Sequence, residues 1–341
     1  MKIYPDTKVY IFCPHNSVSG GPDALHQLCH YMNNGGIDAK IVYFFSGVTQ
    51  CAQRFNKYNA PIMSYQDIED ESKNIIVTPE SSTCVLHKYS NMRKCIWWLS
   101  YGFYDGLRSG TGRAKIRFKN LVKRFLNIFR VKKKYQIIPA LPIKITDDIY
   151  NYCGSQYAYD KLKERGYKNV EMLVEPLSLD FIHEGMEKNL SSESRSDVVL
   201  YNPAKPSKIM EKLLKRQDIR FQPIQGMSLP EIIALFRRTK LYIDFGEFGG
   251  PERLPKESVY NGTCLLVGKR NAAVNDFDVA IPDKYKVEDF NNEELVVSKI
   301  KDILDNYDRY IKDLEPFRQK IDQLEENFIN DIKKFFVKEE T

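Results

Sequence analysis

The 341-residue chain has no uncharged apolar run approaching the roughly eighteen residues that a membrane-spanning helix needs. Its first residues, Met1-Lys2-Ile3-Tyr4-Pro5-Asp6, lack the apolar stretch of a secretory signal. Cysteine is scarce and odd in number: Cys13, Cys29, Cys51, Cys84, Cys95, Cys153 and Cys264. These are widely spaced and no C-x-x-C occurs, which argues against a disulfide framework and against a zinc ribbon. Reduced thiols in a cytoplasmic protein are the expectation. No G-x-G-x-x-G is present, which disfavours a dinucleotide-dependent dehydrogenase. The chain is 43% apolar and 28% charged, an ordinary globular balance. At about 150 residues per domain, its length suggests two domains.

Acidic residues are missing altogether between Asp105 and Asp147. That stretch holds twelve of the 51 basic residues; without it, 39 basic residues face 45 acidic ones. The formal charge of +6 therefore comes from one segment. Within it, Phe118, Leu121, Val122, Phe125, Leu126 and Phe129 recur at helical spacing, with Lys and Arg between them. A basic amphipathic helix over 113–134 suits an anionic membrane surface, apolar side chains in the interface and cations at the phosphates. A helix docked on its own domain fits the same pattern equally well. Nucleic acid is a weaker alternative, because no helix-turn-helix, zinc-finger or RNP pattern accompanies the charge over 106–146.

The rest alternates strand and helix. Strands are predicted at 8–13, 39–45, 74–78 and 94–99, with a helix over 22–32 stopped by Asn33-Asn34-Gly35-Gly36. Pro139 and Pro142 break the chain, and a domain boundary is expected near Pro142–Asp148. The pattern then restarts: strands at 150–153, 170–174, 198–201, 219–222, 241–245 and 263–267, and helices at 156–165, 207–216, 230–237 and 254–260. From Asn292 onward the pattern is helical, with a break expected at Pro316. This predicts an α/β protein of two Rossmann-like domains facing across a cleft.

Two Gly-rich turns carry the candidate chemistry. Ser19-Gly20-Gly21-Pro22 stands between the first strand and the first helix, where backbone amides and a helix N-terminus favour a diphosphate. The second turn begins Asp244-Phe245-Gly246-Glu247-Phe248-Gly249-Gly250 and continues Pro251-Glu252-Arg253-Leu254-Pro255-Lys256-Glu257. It puts Arg253 and Lys256 at a strand's C-terminal end, where open α/β sheets bind ligands. Glu257, expected in the first helical turn, is placed either to accept from a ribose diol or merely to complement the helix dipole. His15 follows the first strand and is a catalytic candidate; His26 and His30, at i, i+4 without an evident third ligand, read as structural. Of the adjacent tryptophans, Trp97 reads as core, while Trp98 and Tyr101 are candidates to stack on the ring of a ligand. Asp276-Phe277-Asp278 is taken as a chance triplet, and no metal is expected.

Pro255-x-Glu257-x4-Gly262, followed by the apolar strand Cys264-Leu265-Leu266-Val267, resembles the donor motif of retaining GT-B glycosyltransferases. The resemblance extends loosely to the overall plan and closely to 198–267. The acid–Arg–aliphatic–Pro–base–Glu string Glu252–Glu257 resembles an atypical branch of that superfamily. The resemblance implies an N-terminal acceptor domain over 1–145 and a donor domain over 146–305. It further implies C-terminal helices over 306–341 that cross back to the first domain. Donor contacts fall on Gly20, Gly21, Lys205, Gly249, Gly250, Arg253 and Glu257, and stacking on an acceptor sugar falls to Trp98 or Tyr101. The family's earlier Glu is replaced by Gly249, so Glu247 and Glu252 join His15 as catalytic candidates. The implied activity is transfer of a hexosyl or related sugar, with retention, from a nucleotide diphosphate sugar to a hydroxyl on a sugar or lipid-linked acceptor. Neither a cofactor nor a metal is required. Surface polysaccharide or glycolipid assembly on the inner face of a membrane is the implied setting. The alternatives are a non-catalytic nucleotide-sugar-binding protein and a nucleic-acid-binding protein.

Overall fold

In the computed structural model, residues 1–15, 17–44, 50–129, 146–250 and 252–339 are described. The first part of the expected boundary, 142–145, and the end of the basic segment at 130–134 lie outside them. The chain divides into two compact units: Met1–Gly154, Ala158–Leu173 and Asp331–Thr341 form the first, Ser155–Tyr157 and Val174–Asn330 the second.

The first unit contains strands β1 (Lys2–Ile3), β2 (Lys8–Cys13), β3 (Asp38–Tyr43), β4 (Ile62–Met63), β5 (Ile75–Pro79), β6 (Arg93–Trp98), β7 (Tyr150–Cys153) and β8 (Val170–Met172). Its helices are α1 (Gly20–Asn34), α2 (Tyr101–Arg108), α3 (Gly110–Ile128) and most of α4 (Gln156–Glu164). Seven strands form one sheet in the order β4-β3-β2-β5-β6-β7-β8. All the pairings are parallel. Parallel strands covered on both faces read as continuous apolar runs, and Val9, Tyr10, Ile11 and Cys13 are all fully buried. The chain starts in the middle at β2, moves outward to β4, then crosses back to β5. The C-terminal ends of β2 and β5 therefore flank a point where the strand order reverses.

The second unit contains β9 (Ser196–Tyr201), β10 (Arg220–Pro223), β11 (Thr239–Asp244), β12 (Cys264–Gly268) and β13 (Lys286–Val287). Its helices are α5 (Leu179–Glu184), α6 (Lys208–Leu213), α7 (Leu229–Arg237), α8 (Arg253–Tyr260), α9 (Glu293–Asp305), α10 (Tyr307–Asp313), α11 (Glu315–Asp322) and most of α12 (Leu324–Phe335). Its parallel sheet runs β10-β9-β11-β12-β13. Again the first strand is internal, and the order reverses between β9 and β11. Local chemistry sets the helix ends. Ser228 and Glu231 form a capping box on α7. The break expected at Pro316 falls at Leu314, between α10 and α11, and Pro316 stands in the first turn of α11, where its missing N–H costs nothing.

Two expected boundaries move. Strands β7 and β8 extend the first sheet instead of opening the second, with Trp97 opposite Tyr152. A repeating β/α pattern records the alternation of elements, not which sheet edge each strand joins. The helices after Asn306 stay in the second unit until Asp331, where the chain enters the first. There β14 (Val337–Lys338) pairs in parallel with β1. Phe335 and Phe336 pack on Tyr152, with ring centroids 5.0 and 5.6 Å away.

Candidate active site

The reversal between β9 and β11 in the second unit gathers the charged groups. In register, Ile243 of β11 lies opposite Tyr201 of β9, and Asp244 opposite Val267 of β12. The turn after β9 carries Lys205, and the Gly-rich turn after β11 carries Glu252. Lys205 Nζ stands 2.7 Å from Glu252 Oε2, 3.5 Å from Asp244 Oδ2 and 4.9 Å from the centre of the Phe248 ring. Asp244 is buried and braces the turn. It accepts from the Tyr242 hydroxyl at 3.2 Å and from the Gly246 N–H at 3.0 Å. Gly246 is required here: a Cβ would sit 2.7 Å from Lys205 Cβ. The glycine lets one turn pass directly over the other.

Glu252 precedes α8 with φ at +46°, a left-handed conformation that costs a non-glycine residue energy and tends to mark functional turns. Burial pushes its carboxyl above the usual range, and Lys205 pulls the other way. Helix α8 starts at Arg253, earlier than expected, so Glu257 occupies the second turn and not the first. A dipole role fades beyond the first turn, which weakens the bland reading of this buried acid. Lys256, expected at the mouth, is buried instead and turned onto Glu175, with Nζ 3.5 Å from Oε1. Glu247 is exposed and engaged by Arg270 and by Asn271 Nδ2, the latter at 2.7 Å. It is not brought to the Lys205–Glu252 pair.

In the first unit, His15 follows β2 and meets the Tyr43 ring edge-on at 5.3 Å. Gly20 and Gly21 form the first turn of α1, neither with positive φ. Ser19 does not cap that helix; its hydroxyl bonds Ser17 at 2.8 Å. A Cβ on Gly21 would reach only ordinary contact with Leu99, at 3.9 Å. The glycines are thus not forced by backbone geometry.

No protein-family profile matches the chain, and no curated protein matches it in sequence. Solved structures do match in shape. T4 phage BGT in complex with UDP-glucose aligns over 96% of this chain and 98% of its own, at 10% identity and a TM-score of 0.52. Sucrose-phosphate synthase from Thermosynechococcus elongatus aligns over the same shares at 9% identity and 0.57. A glycosyltransferase from Rickettsia africae does so at 12% identity and 0.55. The fold is GT-B. At these identities the likeness carries the fold and nothing finer.

Within the GT-B frame, several residues singled out in the sequence prove structural. Trp98 and Tyr101, expected to stack on an acceptor, are buried in the core, which corrects that expectation. The Trp98 indole donates to Asn151 Oδ1 at 3.0 Å, and its ring meets Tyr104 edge-on. The Trp98 ring packs against Tyr101 and Tyr104 of α2, and the Arg165 guanidinium lies over the Tyr101 ring, so neither buried ring presents a face to a ligand. His26 is buried, bonded to the Pro22 carbonyl and to the Tyr43 hydroxyl, and burial lowers its pKa. His30 bonds the Tyr58 carbonyl at 2.8 Å. Asp278 accepts from the Gln156 and Tyr157 N–H groups, and Asp276 pairs with Lys286. Among the described residues no cluster of three His, Cys, Asp or Glu side chains suited to a metal occurs. Sequence reasoning missed Asp244 as the brace. Its signal was an acid directly after the apolar run Leu241-Tyr242-Ile243 at the C-terminal end of the strand.

Proposed function

We propose that this protein transfers a sugar, with retention, from a nucleotide diphosphate sugar to an acceptor hydroxyl. The observation that carries this reading is the Lys205–Glu252–Asp244 cluster at the strand-order reversal of the second unit, beside the start of α8. In this reading the second unit binds the donor. Lys205 and Arg253 grip the diphosphate, Gly249 and Gly250 let the backbone approach it, and Glu257 accepts from the ribose diol. In the first unit, the acceptor domain, the Gly20-Gly21 turn offers backbone amides suited to a diphosphate. As the glycosidic bond breaks, negative charge grows on the leaving phosphate, and these groups stabilise it. The departing phosphate itself takes the acceptor proton, so neither an enzymic nucleophile nor a strong general base is required; no metal is invoked. Glu252, next to Lys205, is the acid nearest the donor, ahead of Glu247; His15 serves the acceptor side. The acceptor is a sugar or lipid-linked hydroxyl in surface polysaccharide or glycolipid assembly, with the chain held peripherally on the cytoplasmic face of a membrane.

Thermal-shift screening of nucleotide diphosphates tests donor binding directly. A true ligand at about 100 times its dissociation constant adds roughly 2.7 kcal/mol. Glu257→Gln is expected to weaken donor binding by roughly ten- to a hundredfold, the worth of a charge-assisted hydrogen bond. Lys205→Ala is expected to lower turnover more than ground-state affinity. If Glu257→Gln changes only melting and Lys205→Ala changes nothing, the site is wrong.

A further inference from the structure

Helix α3 turns its apolar stripe outward. Phe118 is 67% exposed, Leu121 65%, Phe125 61% and Phe129 71%, with Val122, Leu126 and Ile128 exposed alongside. The contrast with α1 is internal to the protein. There the same periodicity produces Leu25, Leu28, Cys29 and Met32, all within 1% of full burial. The helix is not simply loose. Ser109 caps it by accepting from the Gly112 N–H at 3.0 Å. A Cβ at Gly112 would fall 2.0 Å from the Gly106 carbonyl, so glycine permits its close contact with α2. Ile116, Asn120, Lys123 and Asn127 are half-buried, and at 100° per residue they lie opposite the midline of the apolar stripe. The face a core helix would bury is the one presented to solvent.

Charge says what covers it. Arg113, Lys115, Arg117, Lys119, Lys123 and Arg124 are the helix's only ionisable residues, with no acid among them. Lys115 and Lys119 flank one side of the stripe, Arg117 and Arg124 the other. We infer that α3 is an interfacial anchor that lays its Phe–Leu stripe into the surface of an anionic bilayer, with the flanking cations at the lipid phosphates. Long basic side chains bury their stems beside the stripe and keep their charges at headgroup level. An apolar patch of this size is abnormal on a water-facing surface. Nucleic acid accounts for the cations alone: base or phosphate contacts would leave three phenylalanines and two leucines in water. The inference rests on the transferase reading only for the lipid-linked acceptor that such an anchor would serve.

The test uses the full chain, sedimented with phosphatidylcholine vesicles and with phosphatidylcholine vesicles containing phosphatidylserine. Binding to the anionic vesicles is expected to exceed that to neutral ones by about tenfold or more and to fall as salt rises. Phe118→Ser with Phe125→Ser is expected to abolish it while melting and the nucleotide thermal shift stay unchanged. A second variant, Lys115→Gln with Lys119→Gln and Arg124→Gln, is expected to keep the fold and lose the preference for anionic lipid. Phe125→Trp supplies a fluorescence reporter whose emission should shift to the blue only with anionic vesicles. Three results would overturn the inference: no binding to either vesicle, stripe-dependent self-association in place of vesicle binding, or salt-steep binding to duplex DNA that ignores both phenylalanines. Because nucleotide binding is read separately, failure of the anchor and failure of the donor site are distinguishable.

Discussion

Lys205 and Glu252 form an ion pair, with which a diphosphate would compete under the proposed donor reading. The lysine sits between two carboxylates, Glu252 at 2.7 Å and Asp244 at 3.5 Å, so the cluster is negative whenever both are ionised. Glu252→Gln is expected to tighten nucleotide diphosphate binding by about tenfold while lowering sugar transfer, because the lysine is released but the acid near the donor is lost. Calorimetric titration and steady-state kinetics on the same variant check both halves. The pH dependence follows from the raised Glu252 pKa. A carboxyl whose folded pKa lies above its unfolded value contributes its full stability in acid and loses it as pH rises through the folded pKa. The glutamine variant should therefore gain on the wild type from acid toward neutrality, which urea unfolding across pH measures. Trp98 makes the opposite kind of statement. Trp98→Phe leaves the Asn151 side-chain oxygen without its indole donor, which should cost about 1–3 kcal/mol of stability. Acceptor KM should not change; a selective rise in it would restore Trp98 to the site.

At the scale of elements, the two strand–turn–helix passages differ in how much their glycines are needed. Gly246 cannot be replaced without moving Lys205, whereas Gly21 has room for a side chain. Gly21→Val is therefore expected to melt close to the wild type and yet to use nucleotide sugar poorly. Unchanged kinetics in that soluble variant would remove Gly20 and Gly21 from the site. Helix α8 shows why a motif's spacing and its role separate. Its earlier start at Arg253 moves Glu257 out of the first turn and sends Lys256 inward to Glu175. Residues three and four apart on a helix share a face, but Lys256 and Glu257 are adjacent and diverge by about 100°. One of them was bound to leave the mouth.

At the scale of the whole molecule, the C-terminal stretch from Asp331 belongs to the first unit, through the β1–β14 pair and through Phe335 and Phe336. Both phenylalanines are buried. Phe336→Ala is expected to cost about 3–5 kcal/mol, the usual toll of emptying a core aromatic position. Hydrogen exchange should show the loss concentrated in β7 and around Tyr152, where its ring packs. Loss spread evenly over both units would mean that this stretch stabilises the chain in some other way. No helix among the described residues is long and apolar enough to cross a membrane, and all seven cysteines are free.

The amino-acid sequence alone sets the element types and most of their positions. Runs such as 8–13 and 150–153 return as strands with the same ends: the first is apolar after Lys8, as suits a strand buried on both faces, and the second carries one buried polar residue, Asn151, whose side chain is hydrogen-bonded by the Trp98 indole. It also determined which turns are rich in glycine and where the basic helix lies, since these are local properties of composition and period. Three matters were decided only by tertiary structure. The sheet that β7 and β8 join depends on long-range pairing, which a local pattern does not encode. The buried fate of Trp98 and Tyr101 depends on what packs over them. The outward turn of α3 depends on which of two faces finds a partner: periodicity shows that an apolar stripe exists, and only packing decides whether anything within the chain covers it.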